Sequence, residues 1–304
     1  MECLLSTNNL TKTYKTQNAV DKVSLHINKG DIYGFIGRNG AGKTTFMKII
    51  SGLAFQTSGE IKLFGEEAKG NSVLFSRVGT LIENPGLYPN LTAYDNLKMK
   101  CLCNGINRKG YIEDLLKTAG LENAGKKAVK NFSLGMKQRL GVAMALVSEP
   151  DLLVLDEPIN GLDPQGIAEV REMILKLNKE KNITILISSH ILSELSRIAT
   201  RYGIIHNGSL IEELTEEELA AKCCEKIEIR LEDTASAITV LDNLGFKNYK
   251  VTDKTEICVY ERLNESGKIM KALVNADINV TSVSVNSESL EDYFINLTGG
   301  EKNA

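Results

Sequence analysis

The segment Gly37-Arg-Asn-Gly-Ala-Gly-Lys-Thr-Thr45 constrains the fold of this chain more than any other part of its sequence. It follows residues 31–36, which have the pattern of a buried strand, and it opens a helical pattern over 43–51. The spacing G-x-x-x-x-G-K-[ST] between a strand and a helix is typical of loops whose backbone N–H groups surround a phosphate. We therefore expect Lys43 to reach the β- and γ-phosphates and Thr44 to coordinate Mg²⁺. The alternative is a glycine-rich turn without a ligand.

A second, acidic motif supports this expectation. The run Leu152-Leu-Val-Leu-Asp-Glu157 has the pattern of a buried strand that ends in two carboxylates. Because Mg²⁺ keeps several waters and takes few protein carboxylates, we expect Asp156 to hold the ion through a water. Glu157 is then placed to polarise an attacking water. Two acids at a strand end also serve as caps of the next helix, so the catalytic interpretation depends on their combination with the phosphate loop.

Over the first 210 residues, short apolar runs alternate with helical patterns and glycine turns. Leu152–Leu155 and Ile183–Ile187 are such runs, and Val23–Ile27 alternates like a strand with one buried face. Buried strands alternating with helices predict an α/β domain with a largely parallel sheet. Residues 91–148 are mainly helical in pattern and are expected to form a helical subdomain.

The pattern changes after residue 214. Thr215 followed by Glu218 is a capping-box signal for a short helix. Strands and helices are then predicted in the order βαββαβ with a closing helix, over 227–231, 234–244, 247–252, 255–260, 265–275, 278–285 and 288–297, with a turn at Asp253-Lys254. This order favours a small α+β domain of ferredoxin-like fold. We therefore expect two domains, 1–214 and 215–304.

Composition limits the classes of function. The chain has 304 residues, and 36 Lys and Arg face 39 Asp and Glu, which gives a net charge of −3. This balance argues against general nucleic-acid binding, which usually needs a basic face. The apolar runs are far shorter than the roughly 20 residues that span a membrane, and the N-terminus does not resemble a signal peptide. We expect a cytoplasmic protein whose cysteines are all free thiols, namely Cys3, Cys101, Cys103, Cys223, Cys224 and Cys258.

Taken together, the motifs resemble those of the nucleotide-binding subunit of an ATP-binding cassette (ABC) transporter, over roughly residues 3–215. The phosphate loop and the Asp156-Glu157 pair resemble its Walker A and B motifs, and Asn131-Phe-Ser-Leu-Gly-Met-Lys-Gln-Arg139 is similar to its signature. Asn160–Asp163 resembles its D-loop. The resemblance implies a P-loop NTPase fold of the ABC cassette type, with a helical subdomain, bound to ATP and Mg²⁺.

The resemblance also implies roles for individual residues. Tyr14 stands where an aromatic ring stacks on adenine, and His190 stands where the family has its switch histidine, which acts with Lys43 and Glu157 in catalysis. The remaining nucleotide contacts are expected from the loop residues Gly37, Asn39, Gly40, Gly42, Thr44 and Thr45. In this family the signature meets the γ-phosphate held by the opposite subunit, here through Ser133, Gly135 and Gln138.

Two departures from the family pattern concern the site. The signature has Leu134 where Gly is usual and Met136 where Gln is usual. Glu83 occupies the position of a Gln that contacts Mg²⁺ or the attacking water, so we expect it to join Thr44 and Asp156 at the metal. The Glu variant and the C-terminal extension resemble exporters of the bacitracin-resistance and lantibiotic-immunity type.

The implied function is that of an ATPase subunit that dimerises on ATP and powers a separate membrane permease, through the segment around Glu83 and 84–105. The implied cargo is an antimicrobial peptide or hydrophobic antibiotic, with the subunit held on the inner face of the membrane by the permease and no nucleic acid bound. The alternatives are a soluble ABC ATPase acting on ribosomes or DNA and a regulatory module that does not hydrolyse ATP. The C-terminal domain is expected to support packing or dimerisation, or to dock a partner.

Overall fold

The computed structural model describes residues 2–223, 225–287 and 290–298. The chain divides into two compact units, Met1–Glu216 and Glu217–Ala304, two residues beyond the boundary expected from the sequence. Among the described residues, no helix is both long and apolar enough to cross a membrane. No disulfide bond joins the five cysteines in the described ranges, as predicted, and Cys224 lies outside them.

The first unit contains the strands and helices of the predicted α/β domain. Its strands are β1 (Cys3–Tyr14), β2 (Gln17–Val23), β3 (His26–Asn28), β4 (Ile32–Ile36), β5 (Ser58–Leu63), β6 (Glu66–Glu67), β7 (Val78–Leu81), β8 (Leu152–Asp156), β9 (Thr184–Ser189), β10 (Arg201–His206) and β11 (Ser209–Thr215). Its helices are α1 (Lys43–Ile50), α2 (Ser72–Phe75), α3 (Ala93–Cys103), α4 (Tyr111–Thr118), α5 (Leu134–Ala145), α6 (Pro164–Lys181) and α7 (Leu192–Leu195), with 3₁₀ turns at Glu122–Ala124 and Val129–Asn131.

A six-stranded sheet runs through this unit in the order β11-β10-β4-β9-β8-β7. All of its neighbouring strands are parallel except the β10–β11 pair, which confirms the expected α/β class. Every residue of β4, β8 and β9 is buried, as expected for strands that are covered on both faces. Because β9 lies between β4 and β8 and all three are parallel, the segments that follow these strands meet at the end of the sheet that holds their carboxyl ends.

A second sheet of the unit is antiparallel, with the order β2-β1-β5-β6 and β3 also paired to β1. The predicted strand over Val23–Ile27 is interrupted, because β2 ends at Val23 and β3 begins at His26. The buried Thr7 fills this interruption: its hydroxyl donates to the carbonyl of Val23 at 3.0 Å and accepts from the amide of Leu25 at 3.1 Å. The predicted alternation of buried and exposed side chains is nevertheless observed.

Side chains from both sheets and from α1 form one hydrophobic core. Leu5 and Ile61 enter it from the antiparallel sheet, Phe35 and Val154 from the parallel sheet, and Phe46 from α1. The rings of Phe35 and Phe46 lie 5.0 Å apart. This contact fixes α1 against the strand that precedes it, so the loop that joins them has two rigid ends.

Residues 91–148 are mainly helical, as predicted, and contain α3, α4 and α5. The fully buried Asn96 on α3 holds the segment before it in place. Its carbonyl accepts from the amide of Tyr88 at 2.8 Å, and its amide donates to the carbonyls of Tyr88 and Thr92 at 3.2 and 2.8 Å. The irregular backbone between β7 and α3 is thus ordered by one polar side chain.

The second unit begins within α8 (Glu216–Lys222), a short helix that starts one residue after Thr215, where the capping signal placed it. Its elements are β12 (Glu225–Leu231), α9 (Thr234–Asn243), β13 (Tyr249–Asp253), β14 (Glu256–Val259), a 3₁₀ turn at Leu263–Glu265, α10 (Ser266–Asn275), β15 (Val280–Ser287) and α11 (Leu290–Leu297). The sheet order β13-β14-β12-β15, with antiparallel neighbours throughout, is that of the predicted ferredoxin-like fold.

Two details of this unit differ from the sequence expectation. The hairpin turn consists of Lys254 and Thr255, because Asp253 is the last residue of β13. The closing helix was expected from 288, but residues 288 and 289 lie outside the described ranges and the described helix begins at Leu290.

Candidate active site

The phosphate loop joins β4 to α1 and is pressed against two other strands. Gly42 has φ +108°, and a side-chain Cβ there would lie 2.2 Å from the carbonyl oxygen of Ala19 on β2. A Cβ at Gly37 would lie 2.7 Å from the carbonyl oxygen of Ile205 on β10. Only glycine fits at these two positions, so the loop keeps the tight curl that a phosphate requires.

Lys43 is the first residue of α1, and it is almost fully buried. Its ammonium group donates to the carbonyl oxygen of Gly37 at 2.6 Å and lies 3.3 Å from Oε1 of Glu157. A buried lysine held by its own loop and by one carboxylate is a positive charge fixed beside the curled backbone. The contact of this lysine with the β- and γ-phosphates stays a prediction.

The two acids at the end of β8 have different partners. Asp156 accepts from the Thr44 hydroxyl at 2.7 Å through Oδ2 and from the Ser188 hydroxyl at 2.6 Å through Oδ1. The amide of Glu157 donates to the same Ser188 oxygen at 2.9 Å. The sequence analysis missed Ser188. Its only signal was the pair of serines that ends the apolar run at β9, whose register places Ser188 opposite Asp156.

Glu157 turns out of the strand with φ +49°, an uncommon conformation for a residue other than glycine. Its Oε2 lies 2.7 Å from Nδ1 of His190 and accepts from the backbone amide of the same residue at 3.3 Å. Its Oε1 is buried without a hydrogen-bond partner in the described residues, beside the Lys43 ammonium group. An oriented carboxylate whose Oε1 accepts no hydrogen bond within the described residues can accept one from a water molecule.

The arrangement of Thr44 and Asp156 fits a magnesium ion. A hydroxyl and a carboxylate lie within 2.7 Å of each other beside a phosphate loop, and both are the hard oxygen ligands that Mg²⁺ prefers. Glu83, the third expected ligand, is placed differently. Its carboxylate pairs with the Lys48 ammonium group of α1 at 2.6 Å, so the structure joins Glu83 to the phosphate-loop helix and not to Thr44 and Asp156.

The other expected nucleotide contacts lie on exposed parts of this region. Asn39 and Gly40 form the exposed tip of the loop, while Thr45 is half-buried on α1. Tyr14 is half-exposed at the end of β1, with the Lys12 ammonium group 5.0 Å from its ring centre. Tyr14 belongs to the β1–β2 hairpin, which also supplies the carbonyl that lies against Gly42. The hairpin thus connects the expected adenine side of the site to the phosphate side.

The signature and the D-loop face each other across a cavity of about 420 Å³. Ser133 caps α5, and its hydroxyl accepts from the amide of Met136 at 3.2 Å. Asp163 caps α6 by accepting from the amide of Gly166 at 3.1 Å. The cavity lining that joins them includes Gly135 and the half-exposed Leu134, and it contains no phosphate-loop residue. The two expected phosphate-binding surfaces are therefore separate within one chain.

Gln138, the third expected contact of the signature, is buried on α5. Its exposed fraction is 7%, and its Oε1 has no hydrogen-bond partner in the described residues. It lies three residues after the buried Gly135 and four before the buried Val142, so helical periodicity turns it inward. Gln138 therefore presents no exposed side chain on the single chain, and its contact with a nucleotide of a partner subunit stays a prediction.

Known proteins share this architecture. A family model described as ABC transporter matches residues 20–160. The chain is 45% identical to the bacitracin transport ATP-binding protein BcrA of Bacillus licheniformis over 302 residues, which cover 99% of each chain. The chain belongs to the ABC transporter family of ATP-binding proteins. This confirms the resemblance that the sequence motifs indicated.

Two further relatives support membership of the family. The lantibiotic transport ATP-binding protein SrtF of Streptococcus pyogenes is 47% identical over 208 residues, which cover 68% of this chain and 89% of SrtF. A solved dimeric, post-hydrolysis structure of the ATP-binding cassette MJ0796, bound to ADP and Pi, matches with a TM-score of 0.64 at 25% identity. It covers 70% of this chain and 99% of that one.

As a member of this family, the ABC protein binds ATP and hydrolyses it in the service of transport. The predicted ATPase activity and the predicted cassette fold are thereby confirmed. Ligands of parallel α/β sheets bind at the carboxyl ends of the strands, so the ends of β4, β8 and β9 are the expected place for the ATP.

Proposed function

We propose that this ABC ATPase is the energy-supplying subunit of an exporter for an antimicrobial peptide or hydrophobic antibiotic, and that it acts on a separate membrane permease. The observation that carries the proposal is the similarity to BcrA, which extends over 99% of both chains and so includes the second unit. The named transport relatives do not favour the alternative of a soluble ATPase acting on ribosomes or DNA.

ATP lies with its phosphates against the loop from Gly37 to Thr45 and with its adenine at Tyr14. The Lys43 ammonium group neutralises charge on the β- and γ-phosphates, and Thr44 and Asp156 hold Mg²⁺, which offsets the charge of the phosphate oxygens when bound. Glu157 orients the attacking water through Oε1, and His190 holds Oε2 of the same carboxylate. The side chains thus act mainly by positioning and charge stabilisation.

Two copies close over two ATP molecules in this proposal. Ser133 and the first amides of α5 form an anion-binding surface, because a helix N-terminus carries partial positive charge. That surface lines the cavity with Asp163, away from the phosphate loop of its own chain, so the phosphate it meets belongs to a partner subunit. The dimeric cassette among the structural relatives supports this arrangement.

The permease docks in a cavity of about 550 Å³ lined by residues that precede and form α3. Leu53, Tyr88 and Met99 expose apolar surface there, and Gly141 of α5 forms part of the opposite wall. A groove that combines exposed apolar side chains with polar ones accommodates an amphipathic helix. The cavity lining continues to Asn84, beside Glu83, so a docked helix touches the segment that Lys48 links to α1.

In this scheme the first unit is the ATP-binding domain, with residues 91–148 as its helical part, and the second unit is an accessory domain. The protein is peripheral on the inner face of the cell membrane and is held there by the permease. ATP binding favours the closed pair, and hydrolysis removes the bridging phosphate and lets the pair open.

A chromosomal Glu157→Gln substitution tests the proposed transport function. We expect cells carrying it to become more sensitive to bacitracin or a lantibiotic and to keep their sensitivity to an unrelated antibiotic. The matched control is Glu172→Gln on the exposed face of α6. Unchanged sensitivity to every peptide antibiotic, together with loss of ATPase activity in the purified variant, would contradict the proposed cargo. The conclusion that the protein is an ATPase would still hold.

A further inference from the structure

The two edges of the second unit's sheet differ in charge. The edge strand β13 carries Lys250 and Asp253, and its pairing with β14 shifts register between Val251 and Asp253. Charges and irregular pairing are common devices that keep a sheet edge from joining another strand. The opposite edge strand, β15, has neither device over most of its length.

None of the eight residues of β15, Val280-Thr-Ser-Val-Ser-Val-Asn-Ser287, is charged or a proline. The strand pairs with β12 without a shift from Glu225↔Ser287 to Arg230↔Ser282. Within the part of the chain that the structure describes, no strand pairs with its outer side. A long, regular and uncharged edge of this kind is a template for another strand.

The face of β15 that adjoins the core is incompletely covered. Val283 lies opposite Ile229, and Val285 lies opposite Ile227, which is fully buried. Val285 nevertheless has an exposed fraction of 49%. The apolar layer of this sheet therefore reaches its outer edge and ends there against solvent.

We propose that β15 pairs antiparallel with β15 of a second copy of this chain, about a two-fold axis at Ser284. In this register Val283 of one protomer lies opposite Val285 of its partner. The exposed Val285 of each protomer therefore extends the apolar layer across the interface. A two-fold interface brings like side chains close together, and only an uncharged strand avoids repulsion there. The joined sheets form one sheet of eight strands.

The pairing rests on the proposed ATP-dependent dimer of the first unit. Once the first units associate, the two second units belong to one complex, and their effective concentration is raised. A strand pair that is weak by itself then adds to the stability of the dimer. The other occupant of the edge would be an extended segment of the permease.

The test compares Val285→Lys with Val251→Lys, which places the same charge on an exposed valine of the other edge. Both variants are made in the full chain with Glu157→Gln, and dimer dissociation constants are measured by sedimentation with ATP and Mg²⁺ and, at high concentration, without nucleotide. We expect Val285→Lys to weaken the dimer by about tenfold and Val251→Lys to leave it unchanged. Val285→Thr, which stays uncharged and β-branched, retains pairing, and circular dichroism confirms that each variant folds.

The outcomes separate this inference from the proposed function. Equal dissociation constants for Val285→Lys and Val251→Lys would overturn the strand pairing and leave the ATP-dependent dimer standing. A Glu157→Gln chain that stays monomeric with bound ATP would contradict the proposed dimer, and the nucleotide-free measurement would still decide the strand pairing. Loss of permease binding by Val285→Lys without a change in dimerisation would assign the edge to the permease and overturn the inference.

Discussion

The two units of this ABC protein are both built from strands and helices, and the candidate active site lies in the first. In the first unit, β4, β9 and β8 run parallel. The phosphate loop, His190 and Glu157, which follow these strands, therefore lie at the same end of the sheet. In the second unit every neighbouring pair is antiparallel, so strands that lie side by side end at opposite ends of the sheet. Strand direction therefore decides whether residues distant in sequence are collected into one site.

Polar groups in the two units also have different partners. Lys226 and Glu228 on β12 lie 3.0 Å apart, and the amide of Asn286 on β15 donates to the same carboxylate at 2.7 Å. These groups satisfy one another on a sheet surface. In the first unit, by contrast, Glu157 keeps a buried oxygen without a hydrogen-bond partner beside Lys43. Buried polar atoms without a hydrogen bond are rare, and in the proposed mechanism this oxygen, which is ion-paired with Lys43, takes the water molecule.

The largest expected effect is on hydrolysis. Glu157→Gln removes the carboxylate that orients water, and we expect the ATPase rate to fall by about a hundredfold to ten-thousandfold. ATP binding is retained, since the phosphate loop is untouched. A steady-state phosphate-release assay measures the rate, with Glu172→Gln as the control. A variant that keeps most of its activity would show that another group activates the water.

The next effect is on nucleotide binding. Lys43→Ala removes the buried ammonium group that faces the phosphates, and we expect ATP affinity to fall by about tenfold to a hundredfold. Titration with a fluorescent ATP analogue measures it. Lys176→Ala, on the exposed face of α6, is the control and keeps its affinity. Equal affinities for the two variants would overturn the phosphate-loop assignment.

Ser188→Ala tests the connection between β8 and β9. The substitution removes one hydrogen bond to Asp156 and one from Glu157, and we expect the free energy of unfolding to fall by about 1–3 kcal/mol. The ATPase rate falls with it, because both carboxylates lose orientation. Chemical denaturation and the rate assay measure the two effects. Ser189→Ala, on the same strand, serves as the comparison, and an identical loss of rate there would argue against a specific role of Ser188.

A smaller effect is expected at the second departure from the family pattern. Glu83→Gln removes the exposed ion pair with Lys48, and we expect the ATPase rate to stay within about fivefold of the original. Lys48→Gln, which breaks the same pair from the other side, gives a matched change. Complete loss of activity in Glu83→Gln alone would show that the carboxylate itself is required at the metal.

The smallest effect concerns the second unit. Burial raises the pKa of Glu228, but hydrogen bonds from Lys226 and Asn286 outweigh it, so its pKa lies below the ordinary value. A lowered folded-state pKa stabilises the fold above the unfolded-state pKa and loses this contribution as pH falls through the folded-state pKa. We expect Lys226→Met to raise the pKa of Glu228 and to lower the free energy of unfolding by less than about 1 kcal/mol. A carboxyl NMR titration checks it, and an unchanged pKa would assign the shift to Asn286.

Much of the fold followed from local patterns. The buried runs in β4, β8 and β9 and the order of elements in the second unit are visible in the sequence because each depends on a few consecutive residues. The break after Val23 is not visible, because it depends on the Thr7 side chain bridging two strands. The turn at Lys254 and Thr255 differs by one residue for a similar reason, since cross-strand register sets it.

In the candidate site, too, features that depend on consecutive residues were predictable and features that depend on tertiary contacts were not. Lys43, Thr44, Asp156 and Glu157 lie within two short motifs, so spacing alone identifies them. Ser188 was missed because its role depends on the register between β8 and β9. Glu83 was expected at the metal because of a family position, and the tertiary packing that brings Lys48 beside it left no local signal. The burial of Gln138 was likewise not visible in the motif, and its contact with a nucleotide stays a prediction.

The association of Glu157→Gln, measured by light scattering with and without ATP and Mg²⁺, tests the central claim most directly. We expect a monomer without nucleotide at low concentration and a dimer with ATP, because Ser133 of one copy then meets the phosphate held by the other. Ser133→Arg, which blocks that surface, abolishes the dimer without preventing ATP binding. A Glu157→Gln chain that binds ATP and remains a monomer would contradict the account.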